Sequence, residues 1–98
     1  MFRTFDKVRK AMRLAQNRAL GKLAESLAVA NLVLNGYVDI RKVHVGADYV
    51  ARKYNPWTGR VGPPEFFEVK ATRTAPLSKR QKEMMRRYRK RYHVIRVF

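Results

Sequence analysis

The segment LAESLAVANLVL, residues 23–34, is apolar on nearly every side of a helix. A helix of this kind needs cover on most of its surface. The helical pattern extends back to about residue 6, with Gly21 as a candidate break, and Asn35-Gly36 is a typical C-terminal stop. We therefore expect a helix over residues 6–34 whose C-terminal third is covered by the rest of the fold.

Four strand-like segments and one further helix follow this first helix. The strands are expected over residues 37–45, 47–54, 65–71 and 93–98, and the helix over residues 79–91 with Ser78 as its N-cap. The segment NPWTGRVGPP, residues 55–64, has the Gly and Pro content of a turn or loop. The order α, β, β, β, α, β predicts an α/β domain whose mixed central sheet is flanked by helices.

Length and charge limit the functions that the chain can have. Its 98 residues are enough for one modest core, so we expect a single domain over residues 1–98 with a basic helical extension over about residues 1–20. The 23 lysines and arginines outnumber the 7 acids and give a net charge of +16, which favours a polyanionic partner. Nucleic acid is the first such partner to consider, and its binding would weaken strongly with salt.

A membrane surface is the competing polyanion, because residues 1–23 are basic and partly amphipathic. An organelle transit peptide would have a similar composition. No segment reaches the roughly 18 apolar residues of a spanning helix, so we expect a cytoplasmic protein without a membrane partner, acting in the host cytoplasm if it is viral. The absence of cysteine excludes disulfides and cysteine-ligated zinc.

The seven acidic residues are few enough for each position to be informative. Four have ordinary structural explanations. Asp6 and Glu83 are expected to form helical ion pairs with neighbours such as Lys10 or Arg87. Asp39 is expected at a solvated strand position, and Glu65 at the polar edge of a strand. The other three are Glu25, Asp48 and Glu68. Glu25 lies nearly opposite a leucine-rich face of the first helix, so we expect it to point into a semi-enclosed space.

The strand EFFEVK, residues 65–70, places Glu68 and Lys70 on one face because side chains alternate along a strand. If Asp48 lies on a neighbouring strand, its carboxylate comes close to that of Glu68, and the two like charges need a cation or a proton. Mg²⁺ suits such a pair, and Lys70 would orient a water or stabilise charge on the phosphorane. The same Glu-x-Lys pattern is also a common surface ion pair, so the residues alone leave both interpretations open.

These residues resemble the PD-(D/E)XK nuclease superfamily, whose pattern is an acid on the first helix, a second acid near the second strand, and (D/E)-x-K on the next strand. The resemblance implies a restriction-endonuclease-like αβββαβ core, similar to small archaeal or viral Holliday-junction-resolvase-like or RecB-like nucleases. It implies that Asp48, Glu68 and the backbone carbonyl of Val69 bind Mg²⁺, or Mn²⁺ in its place. Lys70 would be catalytic, Glu25 an accessory ligand, and a homodimer is expected.

The resemblance also makes Gln81 a candidate contact to the active site or the nucleic acid. The sequence departs from the superfamily pattern at two positions. Ala47 stands where the pattern has proline, and Met85 stands where a RecB-like Gln-x-x-x-Tyr motif has tyrosine. The other candidate nucleic-acid contacts are the basic residues Arg73, Lys79, Arg80, Arg86 and Arg87. Trp57 either stacks on an unpaired base or caps the core.

The remaining aromatic and histidine residues have structural explanations. Met84, Met85, Tyr88 and Tyr92 form a helical stripe that favours core packing, above all for the two methionines, whereas Tyr88 and Tyr92 could also stack beside Arg87 or Arg91. His44 and His93 are expected to be packing or surface residues without a partner at metal-ligand spacing.

The sequence thus predicts a metal-dependent nuclease that hydrolyses DNA phosphodiester bonds, with junctions, flaps or single strands as candidate substrates and RNA not excluded. The alternative is a non-catalytic basic nucleic-acid-binding protein. A third interpretation is a former nuclease that keeps the fold and has lost turnover.

Overall fold

The computed structural model describes the backbone of residues 2–98 and the side chains of residues 6–98. Two α-helices and four strands follow one another in the predicted order. They are α1 (Phe2–Leu34), β1 (Tyr37–Lys42), β2 (Tyr49–Asn55), β3 (Arg60–Lys70), α2 (Lys79–Tyr88) and β4 (Tyr92–Arg96), with a 3₁₀ turn at Arg89–Arg91 before β4. The predicted α/β class with a mixed sheet is confirmed.

The four strands form one sheet in the order β1-β2-β3-β4. The β1–β2 and β2–β3 pairs are antiparallel, whereas β4 runs parallel to β3 and is reached through α2. The helices flank the sheet on opposite faces, because Phe67 packs with Leu32 of α1 and the adjacent Phe66 ring lies 4.6 Å from the ring of Tyr88 in α2.

Helix α1 contacts the sheet through a different face from its leucine-rich one. Ala24, Ala28 and Leu32 are buried, whereas Leu23 and Leu27 remain about half exposed. The expectation that the C-terminal third is covered on most sides is wrong, because the sheet covers one face of the helix and α2 lies on the other side of the sheet. The expected break near residue 21 is also absent, since α1 is continuous. Neither described helix combines the length and the apolarity needed to cross a bilayer.

The hairpin between β2 and β3 is longer than the sequence predicts. Only residues 56–59 form the turn, so the expected loop over residues 55–64 is wrong. Strand β3 continues through Pro63 and Pro64. This is tolerated because β4 pairs only with residues 66–70 of β3, and the pairing of β3 with β2 is irregular between Arg52 and Tyr54, next to Pro63.

A loop over residues 43–48 separates β1 from β2, where the sequence predicts almost none. Gly46 turns this loop with a φ of 87°, in the region that favours glycine. A Cβ at this position would lie 2.8 Å from Cγ of Met84, so the loop also needs glycine to pack against α2. As a result Asp48 lies in the loop, directly before β2.

Candidate functional site

Strand β3 holds an acid and a base on the face that α2 covers. Glu68 is buried, with 5% of its surface exposed. The Nζ atom of Lys70, two residues along the same strand, lies 3.6 Å from Oε1 of Glu68. The alternation predicted for EFFEVK is confirmed, since Phe67 is buried in the core on the α1 face. The rigid strand therefore fixes the spacing of the carboxyl and the ammonium group.

Asp48 joins this pair from the loop rather than from a strand. Its backbone N–H donates to the carbonyl oxygen of Phe67 at 2.9 Å, and its carboxylate Oδ2 accepts a hydrogen bond from the N–H of Val69 at 2.7 Å. The β2–β3 register pairs Tyr49 with Phe67, so Asp48 lies opposite Glu68. The expectation that Asp48 lies on a neighbouring strand is wrong in detail, but the two acids are brought together.

The two carboxyl groups are electrostatically coupled. Burial and the negative charge of Asp48 together raise the pKa of Glu68 to about 7, while the Lys70 ammonium acts in the opposite direction. A hydrogen bond between the two carboxyls also raises the pKa of Glu68. Near neutral pH the pair therefore holds a proton part of the time. The same excess of negative charge would be relieved by a bound cation.

Tyr92 supports the site in a way that the sequence analysis missed. It is buried as the first residue of β4, and its hydroxyl donates to the carbonyl oxygen of Gly46 at 2.8 Å. Burial and the charges of Glu68 and Asp48 raise the pKa of Tyr92 to about 12, so the hydroxyl remains a donor. The bond ties the loop that carries Asp48 to β4.

The helical stripe predicted to contain Tyr92 is wrong because α2 ends at Tyr88. Arg89 adopts a φ of 46°, which stops the helix. The alternating pattern of the last strand, extended back by one residue, is the signal that would have placed Tyr92 in β4.

Glu25 lies apart from the two paired acids. It is half-buried, as expected, and its Oε2 atom lies 3.6 Å from Nζ of Lys42. Burial raises the pKa of Tyr49, as do the charges of Glu25 and Asp48, whereas the Lys42 ammonium lowers it. Among the residues whose side chains are described, no group of three or more His, Asp or Glu side chains is placed to hold a metal. The accessory-ligand role of Glu25 stays a prediction.

The donor set of Asp48 and Glu68 fits a hard divalent cation. Mg²⁺ takes oxygen ligands, is bound through one or two carboxylates, and keeps waters and phosphate oxygens as its other ligands. Two adjacent carboxyl groups meet that requirement without a third acid. The Val69 N–H is used by Asp48, and the predicted role of the Val69 carbonyl stays a prediction.

Gln81 serves the start of α2. Its side-chain Oε1 accepts a hydrogen bond from the N–H of Ser78 at 2.8 Å, and its own N–H donates to Oγ of Ser78 at 3.1 Å. Together they form a capping box, which confirms Ser78 as the N-cap. The side-chain oxygen of Gln81 is thus engaged in the cap, and a contact between Gln81 and nucleic acid stays a prediction.

The other predicted nucleic-acid contacts are exposed. They are Arg73 in the loop before α2, Lys79, Arg80, Arg86 and Arg87 on α2, and Trp57 at the hairpin turn. Trp57 is 94% exposed, so the interpretation of this residue as a cap on the core is wrong. Its backbone N–H donates to Oδ1 of Asn55 at 3.0 Å, which fixes the turn and leaves the indole ring in solvent.

A second polar cluster lies on the α1 face of the sheet. Oε1 of Glu65 accepts a hydrogen bond from the hydroxyl of Tyr37 at 3.1 Å and lies 2.8 Å from Nε2 of His93. The His93 ring stacks on Phe67 with 4.9 Å between ring centroids. The expectation that Glu65 is only a polar strand edge is wrong, whereas His93 packs on Phe67, as expected for a packing histidine. Alternation along β3 could have indicated the cluster, because Glu65 and Phe67 share a face.

Comparisons of the chain with protein-family models, with curated proteins and with solved structures find no match. The function is therefore inferred from the geometry of Asp48, Glu68 and Lys70.

Proposed function

We propose that this chain is a metal-dependent nuclease that hydrolyses DNA phosphodiester bonds, with a restriction-endonuclease-like αβββαβ fold. One observation carries the proposal. The buried carboxyl of Glu68 lies opposite Asp48 and 3.6 Å from the Lys70 ammonium, in a protein with a net charge of +16. A carboxylate pair beside a lysine is otherwise a costly arrangement in a small core.

In this function Asp48 and Glu68 would hold Mg²⁺ or Mn²⁺. The bound ion supplies Lewis-acid stabilisation of the phosphoryl group and a hydroxide near neutral pH. The Lys70 ammonium, held beside Glu68, donates hydrogen bonds to the attacking water or to the phosphate oxygens as negative charge develops. The hydrogen bond from Val69 keeps the Asp48 carboxylate oriented, so both oxygen donors are preorganised.

Exposed basic residues on both helices would bring the DNA backbone to the site. In addition to the basic side chains of α2, residues 6–20 of α1 are exposed and carry Lys7, Arg9, Lys10, Arg13 and Arg18, and Lys22 beyond them is exposed as well. Such contacts position a strand without reading its sequence. The exposed Trp57 ring supports a substrate with unpaired bases, such as a junction, flap or single strand. RNA offers the same phosphates and is the alternative polymer.

A homodimer is part of the proposal. The half-exposed leucines of α1, with Leu34 85% exposed, offer an apolar surface for a second copy. Because each copy carries +16, bound DNA would favour the dimer by reducing the repulsion between copies. Light scattering with and without a short duplex measures this, and a monomer under both conditions contradicts it.

The decisive experiment is cleavage of a labelled panel of duplex, single-stranded, flap, four-way-junction and RNA substrates, with and without Mg²⁺. Lys70→Met and Glu68→Gln are expected to abolish cleavage while changing DNA affinity by less than about threefold, since neither side chain is needed for binding the backbone. Lys82→Met, on an exposed face of α2, removes the same charge and is the control. Cleavage by Lys70→Met at the wild-type rate would contradict the proposal.

A second measurement tests the metal independently of turnover. Mg²⁺ is expected to raise the thermal midpoint of the wild-type protein, because a ligand that binds only the folded state stabilises it. Asp48→Asn is expected to reduce this stabilisation, whereas Asp39→Asn is expected to retain it. Equal stabilisation of both variants would show that Mg²⁺ binds elsewhere.

The second candidate is a non-catalytic nucleic-acid-binding protein. The Glu25–Lys42 ion pair favours it, because it leaves the site with two carboxylates rather than three. This candidate predicts salt-sensitive binding to the whole panel and no cleavage in Mg²⁺ or Mn²⁺. A former nuclease would behave in the same way while still showing the stabilisation by Mg²⁺.

A further inference from the structure

A cavity of about 430 Å³ lies between α2, β3 and the loop over residues 43–48. Its size falls in the range of small-molecule sites. Its main lining residues are Phe66, Arg80, Glu83, Met84, Arg87 and Tyr88. None of them belongs to the group formed by Asp48, Glu68 and Lys70, so the cavity needs its own explanation.

The floor of the cavity is apolar and aromatic. The rings of Phe66 and Tyr88 lie 4.6 Å apart with an angle of 43° between their planes, and Met84 adds a flexible thioether. Flat π systems stack on such surfaces, and each stacked nucleobase contributes substantially to binding. The floor therefore favours a planar aromatic group over an aliphatic one.

The rim of the cavity is charged. Arg80 and Arg87 contribute guanidinium groups, and the Arg87 guanidinium lies 5.6 Å from the centre of the Tyr88 ring. These cations complement the phosphates on either side of a base.

Glu83 is the unusual member of the rim. The expected ion pair between Glu83 and Arg87 is absent, since among the described side chains no lysine or arginine lies within salt-bridge distance of Glu83. An ionised carboxylate only accepts hydrogen bonds. It therefore suits the amino group of cytosine, adenine or guanine and disfavours the two carbonyl oxygens of thymine.

The cavity is correctly spaced from the proposed cleavage site. Phe66 and Glu68 are two residues apart on one face of β3, so their side chains are separated by about 7 Å along the strand. This is about the length of one nucleotide in an extended single strand. A phosphate beside Glu68 would thus place a neighbouring base over Phe66 and Tyr88.

We propose that this cavity binds one unpaired nucleobase that carries an exocyclic amino group, next to the phosphate held at the Asp48–Glu68 site. The proposal rests on the proposed function in that it takes nucleic acid as the partner. It makes the substrate a strand with at least one unpaired base, because a base within a duplex has neither a free face for the floor nor a free amino edge for Glu83.

The test is fluorescence-anisotropy binding in EDTA, which prevents cleavage, with oligodeoxycytidine, oligodeoxythymidine and a fully abasic oligomer of the same length. The wild-type protein is expected to bind oligodeoxycytidine about tenfold more tightly than oligodeoxythymidine, and either more tightly than the abasic strand. Glu83→Ala is expected to remove the preference between the two pyrimidines and to leave affinity for the abasic strand unchanged or slightly higher. Glu83 is exposed, so this variant should fold normally.

Tyr88→Phe and Tyr88→Leu test the floor. The phenylalanine variant is expected to retain binding of both pyrimidines, whereas the leucine variant is expected to lose about tenfold on both and nothing on the abasic strand. Should the leucine variant fail to fold, the Glu83→Ala result decides alone. Equal binding of the abasic and base-containing strands by the wild-type protein overturns the proposal, as does an unchanged pyrimidine preference in Glu83→Ala.

This result is separable from the nuclease proposal. Selective base binding with no cleavage in Mg²⁺ would support the base-binding role of the cavity and contradict the nuclease proposal. Cleavage together with equal affinity for the abasic strand would support the nuclease proposal and contradict the base-binding role.

Discussion

The carboxylate of Asp48 accepts a hydrogen bond from the backbone N–H of Val69, the residue between Glu68 and Lys70, at 2.7 Å. One acid thus fixes the stretch of β3 that presents the other acid and the lysine. The loop before β2 and strand β3 are therefore held as one unit, and the geometry of the site depends on an interaction that no local sequence pattern encodes.

Two substitutions of Asp48 separate this structural role from its charge. Asp48→Ala leaves the part-buried Val69 N–H without its acceptor and is expected to lower the free energy of unfolding by about 1–3 kcal/mol. Asp48→Asn keeps an acceptor oxygen and is expected to cost less than about 1 kcal/mol, while removing the charge. Urea unfolding measures both. Asp39→Asn, at an exposed position, controls for the loss of a carboxylate, and equal stability of the Ala and Asn variants would contradict the role of the bond.

The pKa of Glu68 gives the metal-free protein a characteristic pH dependence. The folded carboxyl has a pKa of about 7 against an ordinary value of 4.5, so between these values the folded state holds a proton that the unfolded state has released. The stability that this proton provides is complete below about pH 4.5 and is lost as the pH rises to about 7. With solvent screening the loss is on the order of 2 kcal/mol.

Unfolding in EDTA across this pH range measures the effect. Glu68→Gln is expected to flatten this part of the profile and to be more stable than the wild-type protein near pH 8, because it has no buried charge to desolvate. Glu83→Gln, an exposed carboxyl on α2, is expected to leave the profile unchanged. A wild-type profile that does not fall between these pH values would show that Glu68 is not perturbed as described.

The sequence was sufficient to predict what depends on local periodicity. Alternation along EFFEVK placed Glu68 and Lys70 on one face and Phe67 on the other, and the Ser78 cap followed from the residue type and its position. The scarcity of acids identified the pair of Asp48 and Glu68 as candidates before any distance was known. These features need only the chain within a few residues of each site.

Features that depend on distant segments were predicted less well. Gly46 could be recognised as a turn residue, but its close approach to Met84 and its bond with Tyr92 depend on how α2 and β4 return to the sheet. Pro63 and Pro64 could not be placed in a strand until it was known that β4 pairs with only the far half of β3 and that the β2–β3 register is irregular next to Pro63. In each case the deciding neighbour is more than ten residues away.

The exposed ring of Trp57 leads to a prediction about substrate rather than stability. Trp57→Ala is expected to change the free energy of unfolding by no more than about 0.5 kcal/mol, because 94% of the residue is already in solvent. Affinity for junctions and single strands is expected to fall by about 1–3 kcal/mol, the range for loss of one base–aromatic stack, with little change for intact duplex. Trp57→Phe keeps a stacking surface and is the control. An equal loss of affinity for all substrates would mean that the ring only contributes to backbone contact.

Paired leucine substitutions test which face of α1 the sheet covers. Leu32 is 2% exposed and packs with Ala51 and Phe67, whereas Leu27, five residues earlier, is 46% exposed. Leu32→Ala is expected to lower the free energy of unfolding by about 2–5 kcal/mol, because it removes buried methyl groups and leaves a cavity. Leu27→Ala makes the same chemical change with the same change in helix propensity, but much of the Leu27 surface is already hydrated. A decrease in the free energy of unfolding below about 1 kcal/mol is therefore expected.

Chemical denaturation at low protein concentration, where any dimer is dissociated, makes the comparison. If Leu27→Ala were the more costly variant, the leucine-rich face would be the buried one, and Glu25 would point away from Tyr49.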